Sequence, residues 1–149
     1  MPHLTVQYSQ NLDQDVDISK FCSAMSVAMQ ETGVFPMAGI RVRAHPMPHY
    51  SVADGHPKNA FVDMVLRMGE GRSDATKSEI GAFLMARAEA VFAPLLAESF
   101  FALSLEIVTI SKPLSWKTNS IHARITSVKF AQCGNSGDTA MKPASVTAP

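Results

Sequence analysis

The second residue of the chain is the first candidate for chemistry. Pro2 follows Met1, and an initiator methionine is usually removed when a small residue such as proline comes next. Removal would leave Pro2 with a free secondary amine, and an ordinary α-amino group has a pKa of roughly 8. Burial or nearby cations would lower the pKa of this amine, because both disfavour its charged form. Pro2 is therefore a candidate general base.

Three arginines are candidates for binding an anion. Arg41 and Arg43 fall on one face of a predicted strand, and Arg72 stands beside the predicted start of a helix. A guanidinium group is planar, always charged and suited to two parallel hydrogen bonds with a carboxylate. A helix N-terminus adds a further preference for anions. The alternative is that these arginines are solvated surface side chains.

The histidines do not predict a metal site. They are His3, His45, His49, His56 and His122. Their spacings form no i, i+4 pair on a predicted helix and match no familiar metal-binding signature. The sequence also has no glycine-rich phosphate loop and no serine-centred nucleophile elbow. We therefore expect neither a metal nor a cofactor.

Four strands are predicted to hold these residues in place. Their side chains either alternate between apolar and polar or form a mostly apolar run, which are the two patterns of a buried or half-buried strand. The predicted strands are Pro2–Tyr8, Ala38–His45, Ala60–Met68 and Phe101–Ile110.

Two helices are predicted between the strands. Asp17 is a candidate cap for the first, which carries Ile18, Phe21, Met25 and Met29 on one stripe. Ser73 or Asp74 is a candidate cap for the second. Its predicted stripe is Ile80, Leu84, Arg87, Val91 and Leu95, and Pro94 should kink this helix or end it early.

The strand–helix–strand order occurs twice, over residues 2–45 and 60–110. Two such βαβ units predict an α/β or α+β fold with right-handed crossovers. Two helices cover only one face of a four-stranded sheet, yet the third strand carries Phe61 on one face and Met64 on the other. The second face therefore needs a partner, and self-association is the simplest one.

The composition bounds the class of protein. The 149 residues include 13 basic and 13 acidic side chains, so a generic nucleic-acid binder is not indicated. No apolar run approaches the ~18 residues of a membrane span, and the first ten residues do not look like a signal peptide. With only Cys22 and Cys133, a disulfide scaffold is not expected. We expect a soluble, cytoplasmic protein.

The last part of the chain carries weaker signals. Residues 121–125 could form a short strand or extension. Residues 131–149 are rich in Gly, Ser, Thr, Ala and Pro, which predicts a disordered tail. The expected organisation is therefore one domain over residues 1–130, followed by the tail.

Six stretches between Met1 and about Arg124 share the pattern of one known family. They are Met1–His3, Thr32–His45, Ala53–Gly55, Ala60–Val62, Gly69–Ser73 and Ala102–Ile107. The most specific are the Gly-Ile-Arg-Val-Arg run that begins at Gly39 and the Gly-x-Gly-Arg-Ser run that begins at Gly69. Together they resemble the 5-carboxymethyl-2-hydroxymuconate Δ-isomerase family of the tautomerase superfamily, which uses an amino-terminal proline.

The resemblance implies a cofactor-free isomerase that assembles as a homotrimer, with helices outside and sheets lining the interior. It also implies a step in homoprotocatechuate (4-hydroxyphenylacetate) breakdown. Pro2 would move a proton from the 2-hydroxyl of a dienol to a more distant carbon, giving an unsaturated 2-oxo acid. Arg41 and Arg72 would hold substrate carboxylates and polarise the 2-oxo end, with Arg43 and His45 as neighbouring substrate-binding residues.

The chain departs from the family pattern at three places. Glu70 lies beside Arg72 and would weaken anion binding if the two paired, the Pro46–Tyr50 stretch differs, and the chain continues beyond Phe130. Two alternatives stay open. One is a tautomerase for another enol acid, such as a phenylpyruvate-like compound. The other is a trimeric binding or scaffold protein, which retention of Met1 would favour because an amide nitrogen is not a base.

Overall fold

The computed structural model describes residues 1–125 and begins with a strand–helix–strand unit. Its elements are β1 (His3–Ser9), α1 (Ile18–Glu31) and β2 (Arg41–Met47). Asp17 caps α1 as predicted, because its side chain accepts a hydrogen bond from the backbone N–H of Lys20 at 2.9 Å. After α1 the chain turns at Gly33, whose φ of +66° suits a residue without a side chain.

A second unit of the same kind follows. Its elements are β3 (Ala60–Gly69), α2 (Asp74–Val91), the short α3 (Ala93–Leu96) and β4 (Phe101–Ile110). Ser73 is the residue that caps α2, through the backbone N–H of Thr76 at 3.2 Å. Pro94 ends the long helix early, as predicted, because a proline cannot continue the backbone hydrogen-bond ladder.

The four strands form one mixed sheet in the order β2-β1-β3-β4. β1 pairs with β2 and β3 pairs with β4 in parallel, whereas β1 and β3 are antiparallel. The predicted double βαβ architecture is therefore confirmed. At one end of the sheet His3 of β1 lies between Arg41 of β2 and Arg67 of β3, which brings the amino terminus and a group of cations together.

Both long helices cover the same face of the sheet. Side chains from α1, α2 and one face of the strands form a single apolar core. Its fully buried members include Leu4, Phe21, Met25, Met64 and Leu84. Fully burying a side chain of this size stabilises the fold by about 1.5–3 kcal/mol, so this core fixes the register of the strands that carry the site.

Neither α1 nor α2 covers the other face of the sheet. It carries the apolar side chains Phe61 and Val65, which are half-buried, between polar ones. Among the polar side chains, Ser104 donates a hydrogen bond to the Asp63 carboxylate at 2.6 Å. We call this surface the open face. Phe61 lies on this face, opposite to Met64, as the sequence predicts.

Three sequence predictions of local structure are wrong. Ala38 lies in a 3₁₀ turn, Met37–Gly39, and the second strand begins only at Arg41, because the chain is still turning after Pro36. The buried stripe of α2 is Ile80, Leu84 and Ala88, whereas Arg87 pairs with Glu31 at the surface and Val91, the last residue of the helix, is exposed. Residues 121–125 form a helical turn rather than a strand.

Some predictions lie outside this description. The expected tail, residues 131–149, and the last residues of the expected domain are not among the described residues. The chain divides into two compact units after Lys117. Within residues 1–125, none of the helices has the length and apolar character needed to cross a membrane.

Candidate active site

Pro2 lies at the start of β1 and is buried. Its carbonyl oxygen accepts a hydrogen bond from the backbone N–H of Arg41 at 3.2 Å, which ties the amino terminus to β2. Gly39 forms one wall, because a Cβ atom on it would lie only 3.2 Å from Cδ of Pro2 and 3.7 Å from Cα of Met1. The proline is therefore held by the sheet.

Two arginine side chains are oriented beside this amino terminus by backbone carbonyl groups. Arg41 donates through Nη1 to the carbonyl oxygens of Ala38 at 3.2 Å and Gly39 at 2.9 Å. Arg72 donates to the carbonyl oxygens of Gly69 at 3.0 Å and Val34 at 3.1 Å. A guanidinium group has five N–H donors, so each arginine keeps donors for an anion.

Arg72 is also held by an aromatic ring. Its guanidinium carbon lies 5.4 Å from the centre of the Phe35 ring, a cation–π distance. Phe35 itself is buried. The residues from Val34 to Gly39 therefore supply both the ring under one arginine and the carbonyl groups that hold the other, so this turn sets the positions of both cations.

The electrostatic environment at the amino terminus favours a neutral amine. Partial burial is the largest cause that lowers the pKa of the Met1 amine below its ordinary value, followed by the positive charges of Lys117, Arg41 and Arg72. Both causes act by disfavouring the protonated form. The pocket thus lowers the pKa of an amine at this position, which is the property required of a general base near neutral pH.

Arg43 and His45 are arranged differently. Arg43 Nη1 lies 3.3 Å from Nδ1 of His3 on the open face. Partial burial, then the charges of Arg43 and Arg41, lower the pKa of His3. His45 lies two residues further along β2, opposite Gln7. The structure therefore brings Arg41 and Arg72 to the amino terminus and leaves Arg43 and His45 further out along the sheet.

Glu70 does not neutralise Arg72 in the way its position in the sequence would allow. Its Oε1 accepts a hydrogen bond from the backbone N–H of Lys112 at 2.6 Å, whereas the guanidinium of Arg72 donates to the carbonyl groups of Gly69 and Val34. The carboxylate therefore holds the segment after β4, and the guanidinium of Arg72 is oriented by carbonyl groups instead.

The other features of residues 1–125 place no competing chemistry at this end. Within this range there is no group of three or more His, Cys, Asp or Glu side chains arranged to hold a metal ion. A cleft of about 490 Å³ lies at the opposite end of the sheet, where Asn11, Lys58 and Phe100 are among its lining residues. The amino terminus is accordingly the site where a candidate base and oriented cations meet.

Comparison with known proteins decides the family. Residues 2–125 match the family described as 5-carboxymethyl-2-hydroxymuconate isomerase. The chain belongs to this family. The match spans the whole double βαβ fold, from the candidate catalytic proline to the helical turn at residues 121–125, and it confirms the resemblance seen in the sequence.

Individual relatives agree with the family match. A 5-carboxymethyl-2-hydroxymuconate Delta-isomerase of Escherichia coli is 35% identical over 123 residues, which cover 83% of this chain and 98% of the relative. A crystal structure of a 5-carboxymethyl-2-hydroxymuconate isomerase from Deinococcus radiodurans R1 is 37% identical, covers 83% of this chain and 93% of its own, and superposes with a TM-score of 0.77. Another crystal structure of a 5-carboxymethyl-2-hydroxymuconate delta-isomerase gives 35% identity, coverage of 84% and 93%, and a TM-score of 0.78.

A more distant neighbour shows the breadth of the fold. A fused 4-OT described as a wild-type symmetric trimer is 19% identical, covers 81% of this chain and 98% of its own, and has a TM-score of 0.57. The tautomerase fold therefore includes trimeric proteins, and this isomerase-family chain shares their architecture.

One residue of the site is missing from the sequence-based prediction. The positive charge of Lys117 contributes to the lowered pKa of the terminal amine, after partial burial. Lys117 lies in an irregular segment after β4, where neither periodicity nor a motif singles out a lysine. Only the hydrogen bond between Glu70 and Lys112, a contact between distant parts of the sequence, indicates where this segment runs.

Proposed function

We propose that this protein is a cofactor-free isomerase that converts a 2-hydroxymuconate-type dienol acid into the unsaturated 2-oxo acid, with Pro2 as general acid and base. The proposed substrate is 5-carboxymethyl-2-hydroxymuconate, for which its relatives are named, and the proposed role is a step in homoprotocatechuate breakdown. The observation that carries this proposal is the buried Pro2 at an amino terminus where Arg41 and Arg72 are held by carbonyl groups and where the Met1 amine has a lowered pKa.

The proposed reaction moves one proton and adds no atoms. The amine of Pro2, exposed by removal of Met1, takes the proton of the 2-hydroxyl group. The C–O bond becomes a carbonyl, the double bonds shift along the chain, and a more distant carbon receives the proton from the prolyl ammonium. Substrate and product are isomers, and the amine is regenerated for the next cycle. A single positioned base of this kind contributes about 10²–10⁴-fold to the rate.

Arg41 and Arg72 are the proposed substrate-binding and polarising residues. Their free N–H donors would hold a carboxylate and stabilise the negative charge that develops on the 2-oxygen as its proton leaves. Because carbonyl groups already fix the two guanidinium groups, little reorientation is needed when substrate arrives. Arg43 and His45, further along the open face, are proposed as outer substrate-binding residues.

The proposed assembly is a homotrimer. The open face carries Phe61 and Val65, which neither α1 nor α2 covers, and trimers occur in the same fold. A second copy of the chain would cover these side chains from water. The proposed catalytic domain is residues 1–130, with residues 131–149 as a dispensable tail, and the proposed location is the cytoplasm.

The proposal is tested by pairing intact-mass spectrometry with an ultraviolet assay on 5-carboxymethyl-2-hydroxymuconate. Chains that keep Met1, or whose Pro2 amine is acylated, should lose activity by about a hundredfold or more, because an amide nitrogen cannot act as a base. Pro2→Ala, still processed, keeps a primary amine and should retain partial activity. Equal turnover by fully Met1-retaining and processed chains would remove Pro2 from the mechanism.

The pH profile gives a second measurement on the same enzyme. The amine is a base only when neutral, so kcat/KM should rise with pH through the pKa of Pro2. Since the pocket lowers the pKa of an amine at this end of the chain, this rise should lie below the pKa of an unburied prolyl amine. A panel that includes the enol form of phenylpyruvate tests the alternative substrate class, which would be favoured if it reacted faster.

A further inference from the structure

Most of the support for the Arg72 side chain comes from a distant part of the chain. Arg72 lies in the connection between β3 and α2, directly after Gly71, whose φ is +95°. This connection supplies one contact, since the carbonyl oxygen of Gly69 accepts from Nη1 at 3.0 Å. The other two come from the segment after α1. The carbonyl oxygen of Val34 accepts from Nη2 at 3.1 Å, and the centre of the Phe35 ring lies 5.4 Å from the guanidinium carbon.

The contact with the ring leaves hydrogen-bond donors of Arg72 available. A cation–π attraction acts on the charge of the whole guanidinium group and does not require a particular N–H. The carbonyl groups of Gly69 and Val34 use one donor on Nη1 and one on Nη2. Most of the five N–H donors of the group therefore remain for an anion.

Arg87 shows the same kind of contact where a carboxylate is also present. Its guanidinium carbon lies 5.0 Å from the centre of the Phe83 ring, and its Nη2 lies 2.8 Å from Oε2 of Glu31. The charge of Arg87 is thus balanced at the surface of the protein. Among the described residues no ion pair includes Arg72, so its charge is available to a ligand.

Phe35 is well placed to act as a fixed support. It is only 6% exposed and belongs to the apolar core beneath α1 and α2. The backbone around it is tied by hydrogen bonds, because the N–H of Val34 donates to Oγ1 of Thr32 at 3.3 Å and the N–H of Gly39 donates to the carbonyl oxygen of Pro36 at 2.8 Å. Core side chains are packed as densely as in a crystal, so the position of the ring is set by the fold.

We propose that Phe35 is a positioning residue of the isomerase site, whose ring holds the Arg72 guanidinium in place for the substrate while leaving its charge and N–H donors available. Phe35 acts through Arg72 and does not touch the reacting atoms. The inference rests on the proposed function for its substrate, and it adds to that function a residue without a charge or a titratable group. Arg41 does not depend on the ring, because carbonyl groups hold it.

The first experiment changes the ring in two ways. Pentafluorophenylalanine at position 35, incorporated with a suppressor tRNA, keeps the core filled but has a ring face that no longer attracts cations. It should lower kcat/KM for 5-carboxymethyl-2-hydroxymuconate, and Phe35→Leu should lower it by about three- to thirtyfold. The fluorinated ring tests the proposal even if Phe35→Leu does not fold.

The ring beside Arg87 offers a matched control. The same two replacements at Phe83 remove a ring from an arginine outside the site and should leave kcat/KM unchanged. Equal losses at positions 35 and 83 would show a general effect on the fold. Normal kcat/KM with the fluorinated ring at position 35 would show that its attraction for Arg72 is not used. Either result would overturn the proposal.

A double-mutant cycle shows whether Phe35 acts through Arg72. In an Arg72→Ala background, Phe35→Leu should change kcat/KM by less than about twofold, because the supported group is absent. In an Arg41→Ala background it should keep its full effect. The split between kcat and KM in Phe35→Leu should follow that in Arg72→Ala, since both variants weaken the same contact. A loss that persists without Arg72 would contradict the positioning role.

A measurement on the free protein separates this inference from the proposed function. The NMR order parameter of the Arg72 Nε–H bond, assigned by the loss of its signal in Arg72→Lys, reports how rigidly the group is held. It should fall in Phe35→Leu and stay unchanged in Phe83→Leu. If the protein isomerises no dienol acid but the order parameter falls in this way, the proposed function fails and the positioning of Arg72 by Phe35 stands. If the protein isomerises the substrate and Phe35→Leu leaves either the order parameter or kcat/KM unchanged, the inference fails alone.

Discussion

The two ends of the sheet use polar side chains in opposite ways. At the amino-terminal end, the carbonyl groups that hold Arg41 and Arg72 use only some of the five N–H donors of each guanidinium. At the opposite end, Asn59 is buried and donates to the carbonyl oxygen of Val52 at 2.9 Å and to Oδ1 of Asp54 at 2.8 Å. The first arrangement leaves N–H donors of the arginines available for a ligand, whereas the second uses the side-chain N–H donors of Asn59 to fix a loop.

The difference shows why the cleft at the opposite end is not the best candidate site. The cleft of about 490 Å³ at the opposite end is lined by charges of both signs, among them Asp15, Lys58 and Glu98. The amino-terminal end instead gathers cations around one group with a lowered pKa. A set of convergent groups with perturbed titration marks a functional site better than volume does, so the two ends should respond differently to mutation.

The largest expected effect in this comparison is at the arginines. Arg41→Ala and Arg72→Ala should each lower kcat/KM on the order of ten- to a hundredfold, because a charge-assisted hydrogen bond contributes ~1.5–3 kcal/mol. If the contact strengthens as the 2-hydroxyl proton leaves, kcat falls as well as KM rising. Arg87→Ala is the matched control, since Arg87 forms an exposed pair with Glu31 at 2.8 Å. If kcat/KM is near normal in both site variants, these arginines are ordinary surface side chains and do not bind the substrate.

A smaller catalytic effect is expected at Gly39. In Gly39→Ala the new Cβ would approach Cδ of Pro2 to 3.2 Å, so the proline must shift by a few tenths of an ångström. We expect kcat to fall by about three- to tenfold with little change in stability, because catalysis is sensitive to small displacements of the base. Gly81 of α2 is the control. In Gly81→Ala the new Cβ would approach the flexible end of the Ile107 side chain, on β4, to 3.3 Å, and kcat should not change.

At the opposite end, stability should change and catalysis should not. Asn59→Ala removes both side-chain hydrogen bonds of a buried residue and should cost about 1–3 kcal/mol in the free energy of unfolding. Asp54→Ala removes one of these bonds from an exposed partner and should cost less. Denaturant titration and kcat/KM on the same samples check this. If a fully folded variant had a lower kcat/KM, the opposite end would also take part in catalysis, contrary to this prediction.

The same loop has a predicted pH dependence. The hydrogen bond from Asn59, followed by the backbone N–H of His56, lowers the pKa of Asp54. A carboxyl group whose pKa is lowered by folding stabilises the fold above its ordinary pKa, and this contribution is lost as the pH falls through the lowered value. The melting temperature of Asn59→Ala should therefore depend less steeply on pH in the acid range than that of the parent chain.

The smallest effect is expected from deleting residues 131–149. Light scattering should give a homotrimer, of about three times the 16.1 kDa chain for the full protein and three times the shortened chain's own mass after the deletion, because the open face lies within the described sheet. The melting temperature should stay within a few degrees of the full chain's value, and kcat/KM should stay within about twofold. A folded monomer at micromolar concentration would contradict the assembly, and a large loss of activity would show that the tail takes part in the site.

The sequence alone determined the architecture and the identity of the central residues. Some features depend only on residues that are close together in the chain, so one sequence is enough to predict them. They are the two strand–helix–strand repeats, the caps at Asp17 and Ser73, and the break at Pro94. Pro2, Arg41 and Arg72 could be chosen as candidates because a terminal amine and guanidinium groups have distinctive chemistry wherever they occur. Their motifs also led to the family that the comparisons confirm.

Only the tertiary structure decided which side chains meet. Arg41 and Arg43 look equivalent on one strand face, yet one is turned to the carbonyl groups of the 3₁₀ turn and the other to His3. Glu70 stands two residues from Arg72 in sequence and instead holds Lys112, and the charge of Lys117, in an irregular segment, lowers the pKa of the terminal amine. These contacts join residues far apart in the chain, and their geometry depends on where the backbone turns, which side-chain types and spacing do not specify.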